Sequence, residues 1–112
     1  QLQQVLINLL INASDAMPQG GEIKLALKQG ADKKILLLEV WDTGTGIAPE
    51  HLGKLFDPFF TTKSPGKGTG LGLAISARII ESFGGRITVQ SRVGLGSRFT
   101  IHVPVYTKGQ VV

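Results

Sequence analysis

Apolar residues recur at helical spacing in two stretches of the chain. The first helix is predicted over residues 1–17 by the apolar positions Leu2, Val5, Leu6, Leu9, Leu10 and Ala13. A proline and two glycines follow it and end it. A second amphipathic helix is predicted over residues 71–83, and two further glycines end it in the same way.

Four other stretches predict strands. Residues 22–28 alternate between apolar and polar side chains, which indicates a half-buried strand. The near-continuous apolar run at 35–41 predicts a central strand covered on both faces. Residues 86–91 and 98–103 alternate again around a glycine-containing turn. With the two helices, these strands predict an α/β (α+β) two-layer sandwich that has its helices on one side of a sheet.

The stretch between the second predicted strand and the second predicted helix has no sustained period. Residues 42–70 contain three prolines, and one short helix is expected over 49–56. A long irregular segment inside a compact domain is typical of a functional loop or lid.

Composition narrows the classes of function. The 112 residues include no cysteine, which excludes disulfides, thiolate metal sites and cysteine nucleophiles and suits a reducing cytosol. No apolar run approaches the roughly 20 residues that a membrane-spanning helix needs. The formal net charge of +4 comes from scattered basic residues, which argues against nucleic-acid binding. The 15 glycines are unusual, and most of them lie in three clusters.

A polar stripe lies on the first predicted helix. Asn8, Asn12 and Asp15 are spaced i, i+4 and i+7, so they share one face. A solvated face is the ordinary explanation for such a stripe. The rest of this helix is apolar almost all round, however, and carboxamides beside a core need partners. An Asn oxygen suits Mg²⁺, which keeps waters and takes its other ligands from substrate phosphates.

Asp42 ends the apolar strand and is followed by Thr43-Gly44-Thr45-Gly46-Ile47. A turn after a strand explains Asp and Gly at these positions. A carboxylate at the mouth of a sheet is also a fixed hydrogen-bond acceptor, which suits the exocyclic amine of adenine. The two glycines then allow the backbone to approach a flat ring closely.

A third glycine cluster, Gly66-Lys67-Gly68-Thr69-Gly70-Leu71-Gly72, opens the second helix. Free backbone N–H groups at a helix N-terminus bind anions. A flexible linker is the ordinary explanation for a run of glycines, but it does not explain why these glycines lie directly before a helix. The spacing matches neither a P-loop nor the G-x-G-x-x-G turn of dinucleotide-binding folds. Phosphates would therefore be held by a different arrangement.

Five motifs stand in a fixed order along the chain: Asn8-x-x-x-Asn12, Asp42-x-Gly44-x-Gly46, Phe56-Asp57-Pro58-Phe59-Phe60, Gly68-Thr69-Gly70-Leu71-Gly72-Leu73 and Gly94-Leu95-Gly96-Ser97-Arg98-Phe99. Over residues 4–104 the sequence closely resembles the catalytic ATP-binding domain of sensor histidine kinases. The resemblance implies the Bergerat fold shared with DNA gyrase and the heat-shock chaperone ATPases, a mixed sheet with helices on one face. It also implies one domain over 1–112, trimmed at its N-terminus, because two strands that usually precede the first motif are missing.

The resemblance implies ATP and Mg²⁺ as ligands. Asn12 is then expected to coordinate Mg²⁺, and Asp42 to bind the adenine amine. The other residues expected at the nucleotide site are Asp15, Gly44, Gly46, Ile47, Lys67, Gly68, Thr69, Gly70, Leu71, Gly72 and Ser97. Within that set, Gly44 and Gly46 are expected to line the base pocket, and the backbone N–H groups of residues 68, 70 and 71 to reach the phosphates. The resemblance also implies that residues 47–69 form a mobile lid anchored by Phe56 and Phe59, and that Ser97 supports adenine through water.

Asn8 and Lys63 are the candidate catalytic residues. The gyrase-like hydrolases carry a water-activating glutamate where this chain has Asn8. An amide is no general base at neutral pH, which argues for transfer of the γ-phosphoryl group rather than for hydrolysis. Many family members also carry a lysine just after the second Asn, and this chain does not. Lys63 or Lys67 is the candidate substitute, although a solvated lid lysine explains either one equally well.

The resemblance implies phosphoryl transfer to a histidine on a separate dimerisation domain, and from there to a response regulator. A cytoplasmic location is expected, with no nucleic-acid partner and no membrane contact from this domain. His51 and His102 lack the acidic neighbour of an acceptor histidine, so both are expected to be exposed and non-catalytic. Two alternatives stay open, an ATP-hydrolysing conformational clamp and a degenerate module that serves as an interaction platform.

Overall fold

A computed structural model of the chain describes residues 2–30, 34–60 and 72–105. Its elements are α1 (Leu2–Asp15), β1 (Ile23–Gln29), β2 (Ile35–Asp42), α2 (Pro49–Leu52), α3 (Gly72–Ser82), β3 (Arg86–Arg92) and β4 (Gly96–Pro104). Both long helices and all four strands agree with the sequence predictions to within two residues, whereas the short helix ends earlier than expected. No helix in these three ranges is long and apolar enough to cross a bilayer.

The four strands form one sheet in the order β1-β2-β4-β3. Every neighbouring pair is antiparallel, so the described sheet is not the mixed sheet that the family resemblance implied. A short turn joins β3 to β4, and only antiparallel neighbours can be joined in this way. The register between the central strands sets Val40 opposite Phe99 and Asp42 opposite Ser97.

Both long helices lie on one face of the sheet, and the core forms between the two layers. The buried cluster consists of Val5, Leu9, Val40, Ile80, Phe99 and Ile101. Each strand contributes alternate residues to this face, as the period of two requires. The predicted two-layer α/β sandwich, with helices on one face, is confirmed.

The strand β1 is more exposed than its alternation predicted. Ile23, Leu25 and Leu27 point to the helix layer, but they are 41%, 49% and 68% exposed. The helix α1 packs mainly over β2, so the edge strand keeps its apolar residues in contact with solvent. The prediction of a half-buried strand was therefore wrong, because alternation identifies the apolar face but not whether another element covers it.

The first part of the expected lid packs against the core through Ile47, Leu55 and Phe56. The ring of Phe56 meets the ring of Phe99 edge-on, with centroids 6.5 Å apart. Phe59 was expected to anchor the lid as well, but it is 73% exposed. Its φ of 68° turns the chain there into the left-handed region, which is rare for an aromatic residue.

Candidate functional site

The carboxylate of Asp42 lies at the end of β2, on the helix side of the sheet. Asp42 is only 8% exposed. Its Oδ1 accepts a hydrogen bond from the Gly44 N–H at 2.9 Å, and the backbone N–H of Ser97 donates to the same carboxylate. Burial raises the pKa of Asp42, while these two hydrogen bonds act in the opposite direction. A carboxylate has about four lone-pair sites, so two protein donors fix it in place and leave it able to accept from a ligand.

The glycine-containing segment after Asp42 is held between two other parts of the fold. Thr45 donates its N–H to the Ala16 carbonyl at 3.0 Å, at the C-terminal end of α1. The Thr45 carbonyl accepts the Gly94 N–H at 2.8 Å, from the turn between β3 and β4. The segment is therefore positioned by backbone hydrogen bonds on both sides.

Gly44 and Gly46 are required by the protein's own backbone. A Cβ atom on Gly44 would lie 2.5 Å from the Ala16 carbonyl oxygen, and one on Gly46 would collide with the Arg92 carbonyl. Gly46 also has a φ of 75°, which favours glycine. The hypothesis gave close approach to a flat ring as the reason for these glycines, whereas in the structure the close approach is to α1 and β3.

Ser91 connects three parts of this site and was missed in the sequence analysis. Its Oγ accepts the Ile47 N–H at 2.7 Å, donates to the Gly96 carbonyl at 2.9 Å, and lies 3.0 Å from the Ser97 Oγ. It therefore ties the start of the lid segment to the turn that carries the N–H donor to Asp42. The sequence contains a signal for this role, because Ser91 is a polar residue at an inward position of an otherwise apolar strand face.

Asn8 ties α1 to the first turn of α3. Its Nδ2 donates to the Ser76 Oγ at 3.0 Å and to the Gly72 carbonyl at 3.2 Å, and its Oδ1 accepts from Gln4 at 3.1 Å. Ser76 is fully buried and donates in turn to the Gly72 carbonyl at 2.8 Å. The sequence analysis missed Ser76, although a serine on the inward face of α3 was a signal. Asn8 thus fixes where the N-terminus of α3 lies relative to α1.

Two residues of α1 and Ala16, which directly follows the helix, link the two halves of the site. Asn8 contacts Gly72 at the start of α3, and Ala16 contacts the segment after Asp42. Asn12 lies between them on the same helix face, since the three positions are spaced by four residues. At 1.5 Å per residue, the distance along the helix axis from Asn8 to Ala16 is roughly 12 Å. Asn12 is half-buried, and among the described residues its carboxamide has no hydrogen-bond partner; Asp15 is exposed.

Six of the expected site residues lie outside the described part of the chain. They are Lys63, Lys67, Gly68, Thr69, Gly70 and Leu71. Gly72 is described as the first residue of α3, where its N-terminal position faces Asn8. The structure thus pairs Asn8 with Gly72 and Asp42 with Ser97, and α1 connects the two pairs, with Asn12 between them.

Neither described histidine belongs to this group. The imidazole of His51 stacks at an angle against Phe60, with centroids 5.4 Å apart. His102 was expected to be exposed, but it is half-buried, and its Nε2 lies 3.0 Å from the Thr88 Oγ1 on the opposite face of the sheet. Burial lowers the pKa of His102, and the nearby Arg86 charge lowers it further.

Comparison with known proteins identifies the family. The family model described as "Histidine kinase-, DNA gyrase B-, and HSP90-like ATPase" matches residues 1–107. The chain therefore belongs to this ATPase family, and the fold and motifs are those of its histidine kinase branch. This membership confirms the resemblance on which the sequence analysis relied.

Curated relatives and solved structures agree with this assignment. The sensor histidine kinase ZraS of Escherichia coli is 48% identical over 106 residues, which cover 94% of this chain and 22% of ZraS. The nucleotide-free catalytic domain of the histidine kinase ThkA superposes with a TM-score of 0.78 at 39% identity, over 92% of this chain and 66% of that one. Full-length ShkA in complex with AMPPNP superposes with a TM-score of 0.76 at 32% identity, over 92% of this chain and 21% of ShkA. The chain thus spans about a fifth of the length of ZraS and of full-length ShkA.

Proposed function

We propose that this chain binds Mg-ATP and donates the γ-phosphoryl group to a histidine on a separate dimerisation domain. The observation that carries the proposal is that α1, with the residue after it, contacts the segment following the buried Asp42 carboxylate at one end and the N-terminus of α3 at the other. A base acceptor and an anion-binding helix end are thus held at the two ends of one rigid element. The complex of the relative ShkA with AMPPNP supports a nucleotide as the ligand.

The chemistry of the donor set fits this ligand. The Asp42 carboxylate would accept a hydrogen bond from the adenine amine, and Ser97 would support the base through a water. The Asn12 carboxamide would supply one oxygen to Mg²⁺, whose remaining ligands come from phosphates and water. The backbone of residues 68–72 would bind the phosphates, together with Lys67 or Lys63. Bound magnesium would neutralise charge on the phosphates.

The presence of Asn8 favours transfer of the γ-phosphoryl group to another acceptor over hydrolysis of ATP. It offers no carboxylate to activate water, and its amide nitrogen is already used on Ser76 and the Gly72 carbonyl. It would therefore act by holding the start of α3 in place, and the acceptor histidine would come from the partner domain. In the transfer a new N–P bond forms at the histidine while the P–O bond to the leaving ADP breaks. The parent sensor kinase would act in the cytoplasm, and a response regulator would be the next acceptor of the phosphoryl group.

Transfer to a histidine domain tests this function. The chain is incubated with γ-labelled Mg-ATP, alone and with the dimerisation domain of its parent kinase. We expect acid-labile label on that domain and almost no phosphate release by the chain alone. Steady phosphate release without transfer would support the hydrolysing clamp instead. An absence of nucleotide binding in calorimetry, with the chain folded by circular dichroism, would support the degenerate module.

Asn12→Ala is expected to weaken binding of Mg-ATP about tenfold while changing binding of metal-free ATP little, because the carboxamide acts on the metal. Calorimetry with magnesium and with a chelator measures both affinities. Gln3→Ala, at an exposed position of the same helix, serves as the matched control. Equal losses with and without magnesium would rule out the ligand role for Asn12.

A further inference from the structure

The face of the sheet that points away from α1 and α3, here called the open face, collects positive charge. The strand register places five basic residues and one acid on it, a charge of +4: Lys24, Lys28, Arg86, Arg92, Arg98 and Glu39. The other described residues include three basic and six acidic side chains, a charge of −3. Basic residues that are scattered along the sequence therefore meet on one surface, opposite to the candidate nucleotide site.

The centre of the open face is an ordered network. Glu39 is 5% exposed, with its carboxylate 3.0 Å from the Lys28 Nζ and 3.7 Å from an Arg98 guanidinium nitrogen. The Trp41 indole N–H donates to Glu39 at 3.3 Å. Burial alone would raise the pKa of Glu39, but Lys28, Trp41 and Arg98 outweigh it and hold the pKa below its usual range. The long basic side chains are thus partly ordered before any partner arrives.

We propose that the open face docks an acidic surface of another protein. Trp and Arg are the residues that most often dominate binding energy at protein interfaces, and here Trp41 and Arg98 stand side by side on the two central strands. Exposed Lys24, Arg86 and Arg92 lie on the two edge strands and form a charged rim. Such a rim attracts an acidic partner over a distance of about one Debye length. This proposal is independent of the proposed function.

The same geometry disfavours nucleic acid and lipid membranes as partners of the open face. Lys24 and Arg98 approach Trp41 from the strands on either side of it, 5.6 and 4.7 Å from the ring centroid, so two cations compete with a base for stacking on the ring. Among the large apolar side chains that the described part of the chain exposes, only Ile35 belongs to the open face, and it lies at one end. An anionic membrane would therefore gain little apolar contact there.

The single tryptophan of the chain provides the measurement. Trp41 fluorescence is followed while a short polyglutamate peptide is added, and in parallel with a single-stranded oligonucleotide of equal charge and with phosphatidylserine vesicles. We expect saturable binding of the peptide that weakens as salt is raised, and weaker binding of the other two ligands. Tighter binding of the oligonucleotide or the vesicles, or no binding of the peptide, would overturn the proposal.

A charge-matched pair of variants separates the open face from net charge alone. Lys24→Glu with Arg86→Glu reverses two cations of the open face that form no ion pair with Glu39. Lys54→Glu with Arg78→Glu makes the same change of charge at exposed positions elsewhere. The first pair is expected to weaken peptide binding at least about tenfold, and the second pair to weaken it much less. Equal losses in the two double variants would show that the open face has no special role.

Discussion

Replacing Asp42 by Asn is expected to weaken nucleotide binding by about 100-fold, the loss of roughly 3 kcal/mol that accompanies an unmet charged hydrogen bond in a buried site. The carboxylate accepts from the N–H groups of Gly44 and Ser97 and still has lone pairs for an amine donor. An Asn side chain has one acceptor atom, and its NH₂ group would face a backbone N–H or the adenine amine, both of which are donors. The substitution thus removes the acceptor and adds a repulsive contact.

Calorimetric titration with Mg-ATP, ADP and adenosine measures this effect. Because Asp42 acts on the base, all three ligands should lose affinity by a similar factor. Asp57→Asn, at an exposed position of the lid segment, is the matched control and should bind as the unaltered chain does. If Asp42→Asn bound all three ligands normally while remaining folded, Asp42 would not be the base acceptor.

The pH dependence of binding should follow the same carboxylate. Burial raises the pKa of Asp42 above its usual value, so the acceptor is lost to protonation at a higher pH than for an exposed aspartate. Protonation of a group with a raised pKa favours the folded state, so acidification should weaken nucleotide binding without destabilising the fold through this residue. The pKa of Glu39 is shifted in the opposite direction. Its contribution to the stability of the fold is therefore lost as the pH falls through its lowered pKa.

The sequence predicted local structure well because local structure depends on periodicity. The spacing of apolar residues located both long helices and the four strands, and the glycine motifs located the ends that face the candidate site. Periodicity does not predict how the helices and strands pack against one another. Whether α1 covers the edge strand depends on where the helix crosses the sheet, which explains why Leu25 and Leu27 are exposed against expectation.

The supporting hydrogen bonds of the site were also beyond a search for motifs. Ser76 and Ser91 occupy inward positions among apolar residues, and each has one partner, Asn8 or Ile47, that is more than 40 residues away in the chain. A buried hydroxyl must be satisfied, so their burial predicts partners but does not say which ones. The same holds for the open face, since residues far apart in sequence share it only once the strand register is known. The motifs thus identify ligand-facing residues more readily than the residues that hold them in place.

Gly96 supports the Asp42 acceptor, and its replacement should be far more costly than that of its neighbour Gly94. Both glycines have positive φ, 127° at Gly96 and 83° at Gly94. A Cβ on Gly94 would meet nothing within 4 Å, so Gly94→Ala adds only backbone strain of about 1 kcal/mol. A Cβ on Gly96 would collide with the Asp42 carbonyl, so Gly96→Ala adds steric overlap to that strain and should cost about 3 kcal/mol or more.

Urea unfolding of the two alanine variants measures this difference directly, since both change the same turn by one methyl group. Gly96→Ala should also weaken nucleotide binding, because relieving the overlap moves β2 away from β4 at the Asp42–Ser97 pair. Gly94→Ala should leave nucleotide affinity nearly unchanged, since the Gly94 N–H can still donate to Thr45. Similar stabilities and similar affinities in the two variants would mean that close packing of Gly96 on Asp42 does not determine the geometry of the site.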